Sequence, residues 1–199
     1  LSVGILIRTI EEPQCEDRMD VRRDIVERLE RARIDYYVTG SEALALLGVA
    51  FRATNDIDLV LQLADRDYDL RLRPALEPDY LVSSFVATTH RRLGSAIHVA
   101  SGTGKVDFVL RDAGPWADEA FARRRRVDDP GVGPLWVSTI EDLLLAKLEW
   151  ADGSLEGLQG RDVERILRVE DPLDLDYVRR MAGTLGLEDI LEMAVRRAR

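Results

Sequence analysis

Hydrophobic positions change their period along the chain, and the changes divide it into elements. Between residues 17 and 33, Met19, Ile25, Val26, Leu29 and Ala32 recur at helical spacing, which predicts a helix. Asp35 to Val38 is a short strand, and the Ala- and Leu-rich stretch Ser41 to Leu47 is a helix that Gly48 stops. Ile57 to Leu63 is the next strand, and residues 65 to 77 are helical up to Pro78. Tyr80 to Val86, Ala96 to Ala100 and Lys105 to Leu110 read as β structure, the last two joined across Ser101-Gly-Thr-Gly. Pro115 to Arg126 is a predicted helix, Pro130-Gly-Val-Gly-Pro a connection, and Leu135 to Val137 a short strand.

From Ser138 the period becomes helical throughout. Ser138-Thr-Ile-Glu141 has the spacing of a capping box, and helices follow at about 139–151, 160–169, 173–183 and 187–198. The expected fold class is α/β (α+β): a mixed-sheet lobe over residues 1–137, then a helical lobe over 138–199 that completes the active site. Residues 1–15 are set apart as an extension.

Composition narrows the class of protein. With 46% hydrophobic and 33% charged residues, the 199-residue chain reads as soluble and globular. The formal charge of −9 argues against a dedicated nucleic-acid binder, so any RNA contact must come from a local patch. Cys15 is the single cysteine, which leaves no intrachain disulfide and fits a reducing cytosol. Leu1 to Ile7 is too short to span a membrane and lacks a basic start, so neither a membrane anchor nor a signal peptide is expected.

The chemistry concentrates around two carboxylates. Asp56 and Asp58 stand two apart on a predicted strand, so they face one side while Ile57 and Leu59 face the core. Carboxylates held on one face repel unless a cation or protons join them, and Mg2+ prefers a few carboxylates plus phosphate oxygens. Gly40-Ser41 lies between the preceding strand and helix, where backbone N–H groups can receive phosphate. The same run, Thr39-Gly-Ser-Glu42, also fits a simple capping box. Lys105-Val-Asp107-Phe places a third acid on an otherwise apolar strand. If that strand neighbours the first, Asp107 completes an acidic triad as metal ligand and general base. Lys147 falls within the apolar stripe of Ile140, Leu143, Leu144 and Ala151, where it needs an anionic partner such as a triphosphate or must snorkel to water.

Other signals carry less. Ser101-Gly-Thr-Gly-Lys105 lacks P-loop spacing, since Val106 replaces the hydroxyl residue that would hold Mg2+. His90 and His98 are too few and scattered for zinc, and Cys15 has no evident catalytic partner.

Gly40-Ser41, Asp56-Ile-Asp58 and Asp107 together resemble the three-part signature of the DNA polymerase β-like nucleotidyltransferase superfamily. Thr39-Gly-Ser-Glu-Ala-Leu, Arg52-x-Thr54, Glu141-Asp-Leu-Leu-Leu-Ala-Lys147 and Gly160-Arg-Asp162-Val-Glu are similar to the AbiEii group, which includes the MenT-type toxins of toxin–antitoxin systems. The resemblance implies a division of roles. Ser41 and adjacent backbone hold triphosphate oxygens, Asp56, Asp58 and Asp107 bind Mg2+ (or Mn2+), Lys147 contacts phosphate, and Asp162 positions nucleotide or acceptor. Arg52 is a further phosphate contact or a surface arginine, and Asp162 alternatively a helix-start acid.

The implied reaction is transfer of NMP from an NTP to the 3′ end of tRNA in the cytoplasm, with pyrophosphate release and arrest of translation. Arg123-Arg-Arg-Arg126 is the candidate RNA contact, or else a solvated helix face. A cognate antitoxin, in some members kinase-like, is the implied partner. Phosphorylation of Thr39 or Ser41 would place negative charge where the triphosphate must bind. An adenylyltransferase acting on an aminoglycoside or lincosamide is the alternative, favoured by the acidic charge. A binding protein of the same fold without chemistry is a further one.

Overall fold

The computed structural model describes residues 21–49, 56–82, 92–98, 105–111, 113–170 and 172–198. The readings made for Cys15, Arg52, His90, the start of the first helix, the end of the Tyr80 strand and the Ser101-Gly-Thr-Gly loop lie outside these residues.

Helix α1 (Val21–Arg31) leads into β1 (Asp35–Thr39), α2 (Gly40–Leu46) and β2 (Asp56–Gln62). A helical stretch follows as α3 (Asp65–Asp67), a π-helical turn over Tyr68–Leu72, and α4 (Arg73–Leu76). Then come β3 (Tyr80–Val82), β4 (Arg92–His98), β5 (Lys105–Leu110), α5 (Pro115–Arg123), β6 (Arg125–Asp129) and β7 (Gly133–Val137). Four helices complete the chain: α6 (Ile140–Trp150), α7 (Leu158–Leu167), α8 (Leu175–Leu185) and α9 (Glu188–Ala198). Among the described residues, no helix is long and apolar enough to cross a membrane.

The seven strands form one mixed sheet in the order β3-β4-β5-β2-β1-β7-β6. β2 is central, antiparallel to β1 and parallel to β5, and β1 is parallel to β7. One face is apolar along its length: Tyr36, Val38, Ile57, Leu59, Val106 and Phe108 are all buried. The other alternation set carries the polar groups, Thr39, Asp58 and Asp107, followed by Tyr37, Val60 and Val109. The latter three are buried as well, and Tyr37 packs edge-on against Phe121 of α5, ring centroids 4.8 Å apart. The central strands β1, β2 and β5 are therefore covered on both sides except at the ends where the acids sit.

Two local expectations change. Arg125 and Arg126, expected at the end of a helix, instead open a strand, Arg125–Asp129, antiparallel to β7 at the sheet edge. Its Arg-Arg-Val-Asp-Asp sequence shows no hydrophobic alternation because an edge strand packs little and carries charge that blocks further pairing. The cap before α6 is Thr139, one residue later than the capping-box spacing suggests. Its Oγ1 accepts from the Asp142 N–H at 3.2 Å and donates to Asp142 Oδ2 at 2.6 Å.

One buried carboxylate on α6 joins it to α5 and α8. Asp142, 2% exposed, accepts from Trp116 Nε1 at 2.9 Å and Tyr177 Oη at 2.5 Å. Three helices, α5, α6 and α8, thus meet on one acid whose lone pairs are satisfied, the condition under which a buried charge is tolerated. Burial, then the Asp142 contact, raises the Tyr177 pKa and keeps the phenol a donor.

Candidate active site

Strand register builds the acidic pair. Asp58 stands opposite Thr39 of β1 on one side and opposite Asp107 of β5 on the other, and Asp107 stands opposite Ser95 of β4. Directly paired residues share a face, and neighbouring strands lie about 4.8 Å apart. Asp58 and Asp107 are therefore adjacent carboxylates on one face, Asp107 only 7% exposed and Asp58 partly exposed. Asp56 opens β2 two positions before Asp58 and pairs with Lys105.

Gly40 explains how the Thr39–Glu42 segment fits beside them. Its φ is +70°, and a Cβ there would lie 2.1 Å from Asp58 Oδ2. Only glycine meets both conditions, the left-handed backbone and the bare Cα pressed on the carboxylate. The chain turns at Gly40 straight from β1 into α2, so Ser41 enters the helix beside Asp58. Thr39 does not form the expected capping box: its side chain makes no cap hydrogen bond, and Glu42 instead accepts from Arg22 at 2.6 Å. Thr39 is 1% exposed, whereas Ser41 is partly exposed.

Lys147 and Asp162 find each other. Their ion pair, Nζ to Oδ2 at 2.9 Å, joins α6 to α7 with the two residues 2% and 1% exposed. Trp150 lies within 5.9 Å of the ammonium. The anion that the inward lysine requires is thus supplied by the protein itself. Gly160 permits the approach of α7: a Cβ there would stand 1.8 Å from the Leu155 carbonyl oxygen.

The arginine run does not form a continuous basic stripe. Arg123 pairs with Glu141 at 3.2 Å and lies over the Tyr177 ring. Arg124 pairs with Asp35 and Arg126 with Glu30, both at 2.9 Å, and both lie over Trp136. Among the four, Arg125 alone has no acidic partner among the described residues. Strand alternation separates it from Arg124 and Arg126, which is why adjacency in sequence does not become adjacency on the surface.

Among the described residues no group of three metal-ligating side chains stands together. The donor set nonetheless suits Mg2+: two hard carboxylate donors, Asp58 and Asp107, in register, with room in the coordination shell for phosphate.

The sequence matches no protein-family model and no curated protein. Solved structures do match the fold. An antigenic nucleotidyltransferase-like protein from Paracoccidioides brasiliensis is 17% identical, with a TM-score of 0.51 over 91% of this chain and 93% of that one. The antibiotic-resistance factor ANT(2″)-Ia in solution is 16% identical, with a TM-score of 0.55 over 90% of this chain and 100% of that one. The same factor in complex with adenylyl-2″-tobramycin is 15% identical, with a TM-score of 0.51 over 88% and 95%. The chain has the nucleotidyltransferase fold.

Proposed function

We propose that this chain is a Mg2+-dependent nucleotidyltransferase that transfers NMP from an NTP to an acceptor hydroxyl. The observation that carries the reading is the register of Asp58 between Thr39 and Asp107, with the bare Cα of Gly40 against its carboxylate. In this reading Asp58 and Asp107, with Asp56, hold the metal, which supplies charge neutralisation at the transferred and leaving phosphates. Ser41 and the Gly40 backbone receive the triphosphate. Asp107, the more buried acid, takes the proton of the acceptor hydroxyl as its oxygen bonds the α-phosphorus and the bond to pyrophosphate breaks. Lys147 and Asp162 fix α6 against α7, and through them the wall of the site; contact with the nucleotide would require their pair to open.

The finer reading is a toxin of a toxin–antitoxin system that extends the 3′ end of tRNA. Its support is the motif resemblance over Thr39–Leu44, Glu141–Lys147 and Gly160–Glu164. Regulation by a kinase-like antitoxin falls on Ser41, since the burial of Thr39 puts its hydroxyl out of a kinase's reach in the folded chain. The net charge of −9 favours the second reading, adenylylation of a cationic aminoglycoside. Incubation with α-labelled NTPs, Mg2+ and either tRNA or aminoglycosides tests both. Label on tRNA supports the first, label on an aminoglycoside the second, and label on neither acceptor removes both acceptor assignments. A protein that binds nucleotide and transfers nothing is a binding protein without the chemistry.

A further inference from the structure

A cavity of about 810 Å3 opens between the end of α2, the start of β6, the N-terminus of α6 and the last turns of α7. Arg125, Arg165 and Arg168 line it, together with Gly48, Thr139 and Glu141. We propose that this cavity is a phosphate-binding subsite that takes a phosphate ester borne on the acceptor. Its acceptor role rests on the nucleotidyl-transfer reading; its phosphate chemistry does not.

The charges in the cavity are available. Arg125 has no acidic partner among the described residues. Arg165 pairs with Asp162 at 3.6 Å and Arg168 with Glu164 at 3.4 Å, with about half of each arginine side chain exposed, and Arg168 also donates to the Arg197 carbonyl of α9 at 3.5 Å. Such long contacts leave the half-exposed guanidinium groups free to turn to a phosphate, which accepts two parallel guanidinium hydrogen bonds. Glu141 does not cancel them, since it already accepts from Arg123 and from the Asp174 N–H, each at 3.2 Å. Glu170 also lines the cavity and leaves the set with a net positive charge.

The arginines are also placed. Arg161, Arg165 and Arg168 follow one another at helical spacing along α7, and the buried Lys147–Asp162 pair fixes which face of α7 turns inward. Arg125 pairs with Val137, Val137 with Val38, and Val38 with Leu59, the residue after Asp58. The same register puts Arg125 in the alternation set of Leu59 rather than that of Asp58, at the same end of the sheet as the acidic pair and about 14 Å from β2 across three strand spacings. In the nucleotidyl-transfer reading, an acceptor must therefore extend past the end of the sheet to bring its hydroxyl to Asp58 and a phosphate to the arginines. A polycationic aminoglycoside would meet these arginines unfavourably.

The test measures binding of inorganic phosphate and of a fluorescent short single-stranded RNA, by anisotropy against salt, with Mg2+-ATP binding measured separately. The proteins are the wild type, Arg165→Gln/Arg168→Gln and Arg125→Glu, each checked by circular dichroism. The inference expects wild-type RNA binding, weakened about tenfold or more in Arg165→Gln/Arg168→Gln, with the salt slope lowered by about 0.7 for each phosphate no longer neutralised. Arg125→Glu, on a different element, should weaken it too, while Mg2+-ATP binding stays unchanged in both variants. Competition by millimolar phosphate assigns a single phosphate; RNA binding indifferent to free phosphate assigns a phosphate chain. Wild-type binding of neither probe, or RNA affinity within about twofold in both variants, overturns the inference. Absence of Mg2+-ATP binding in the wild type would sink the transferase reading instead, and leave the phosphate cavity standing.

Discussion

Removing Lys147 separates a structural role from a chemical one. The Nζ–Oδ2 distance is 2.9 Å and both groups are nearly inaccessible. At an effective dielectric constant of about 20, two unit charges at that distance attract by about 6 kcal/mol. Desolvation offsets much of this, so the pair's net contribution is small, but taking away Asp162 strands the lysine, and taking away Lys147 leaves the buried Asp162 only the longer 3.6 Å contact with Arg165. Lys147→Met should therefore destabilise the fold by about 3–5 kcal/mol, a large share of a typical domain's stability. Asp162→Leu should cost a similar amount. The double variant should recover most of the loss, because neither charge remains buried alone. Urea denaturation followed by circular dichroism gives the four stabilities of the cycle. Single losses below about 1 kcal/mol, or a double variant equal to the sum of the singles, would refute the buried-pair account. If the double variant folds fully yet binds Mg2+-ATP much more weakly, the lysine contacts nucleotide as well.

Other perturbations read different parts of the site. Gly40→Ala must adopt a left-handed backbone and displace the Asp58 carboxylate; it should cost about 1–2 kcal/mol in stability and more than about tenfold in transfer rate. A calorimetric melt and a transfer assay on the same sample check both. Ser41→Glu should abolish transfer while leaving the melting temperature near wild type, and full activity in that variant would end the phosphorylation proposal. Raised tyrosine pKa values make the fold sensitive to alkali. Burial pushes Tyr36 up to about 12 and raises Tyr37 and Tyr177 further. Stability is then full below about pH 10, where the unfolded phenols begin to ionise, and falls as the pH rises towards and past about 12, which alkaline melts followed by circular dichroism would record. Tyr177→Phe should cost about 1–3 kcal/mol in the same urea titration by depriving buried Asp142 of a donor.

The strands and helices around the acids are legible in the sequence because their side chains alternate or repeat against a core. Ile57, Leu59 and Val106, Phe108 announce β2 and β5, and the odd acid in each marks the face that opens. The pairing of those strands is not legible, since register depends on partners distant in sequence; for Asp107 it follows only on the condition that the two strands are neighbours. β6 escapes because an edge strand needs no apolar alternation. The Lys147–Asp162 pair escapes for a different reason. A lysine inside an apolar stripe signals that an anion is required, but nothing local says whether that anion is substrate or protein. The arginine cavity is assembled from α7 and β6, with Arg125 and Arg165 far apart along the chain, so no run of sequence displays it. Glycines are better guides than charges: Gly40 and Gly160 each stand where a Cβ would collide with a neighbour.

The central claim is that Asp58 and Asp107 form the metal-dependent transfer site, and one comparison tests it most directly. Pyrophosphate release and label transfer from α-labelled NTP are measured for the wild type and for Asp58→Asn, with Mg2+ present or chelated. The account predicts equal amounts of pyrophosphate and transferred label in the wild type with Mg2+, and neither product after chelation or in a folded Asp58→Asn. Transfer that persists in Asp58→Asn, or that proceeds equally without a divalent metal, would contradict it.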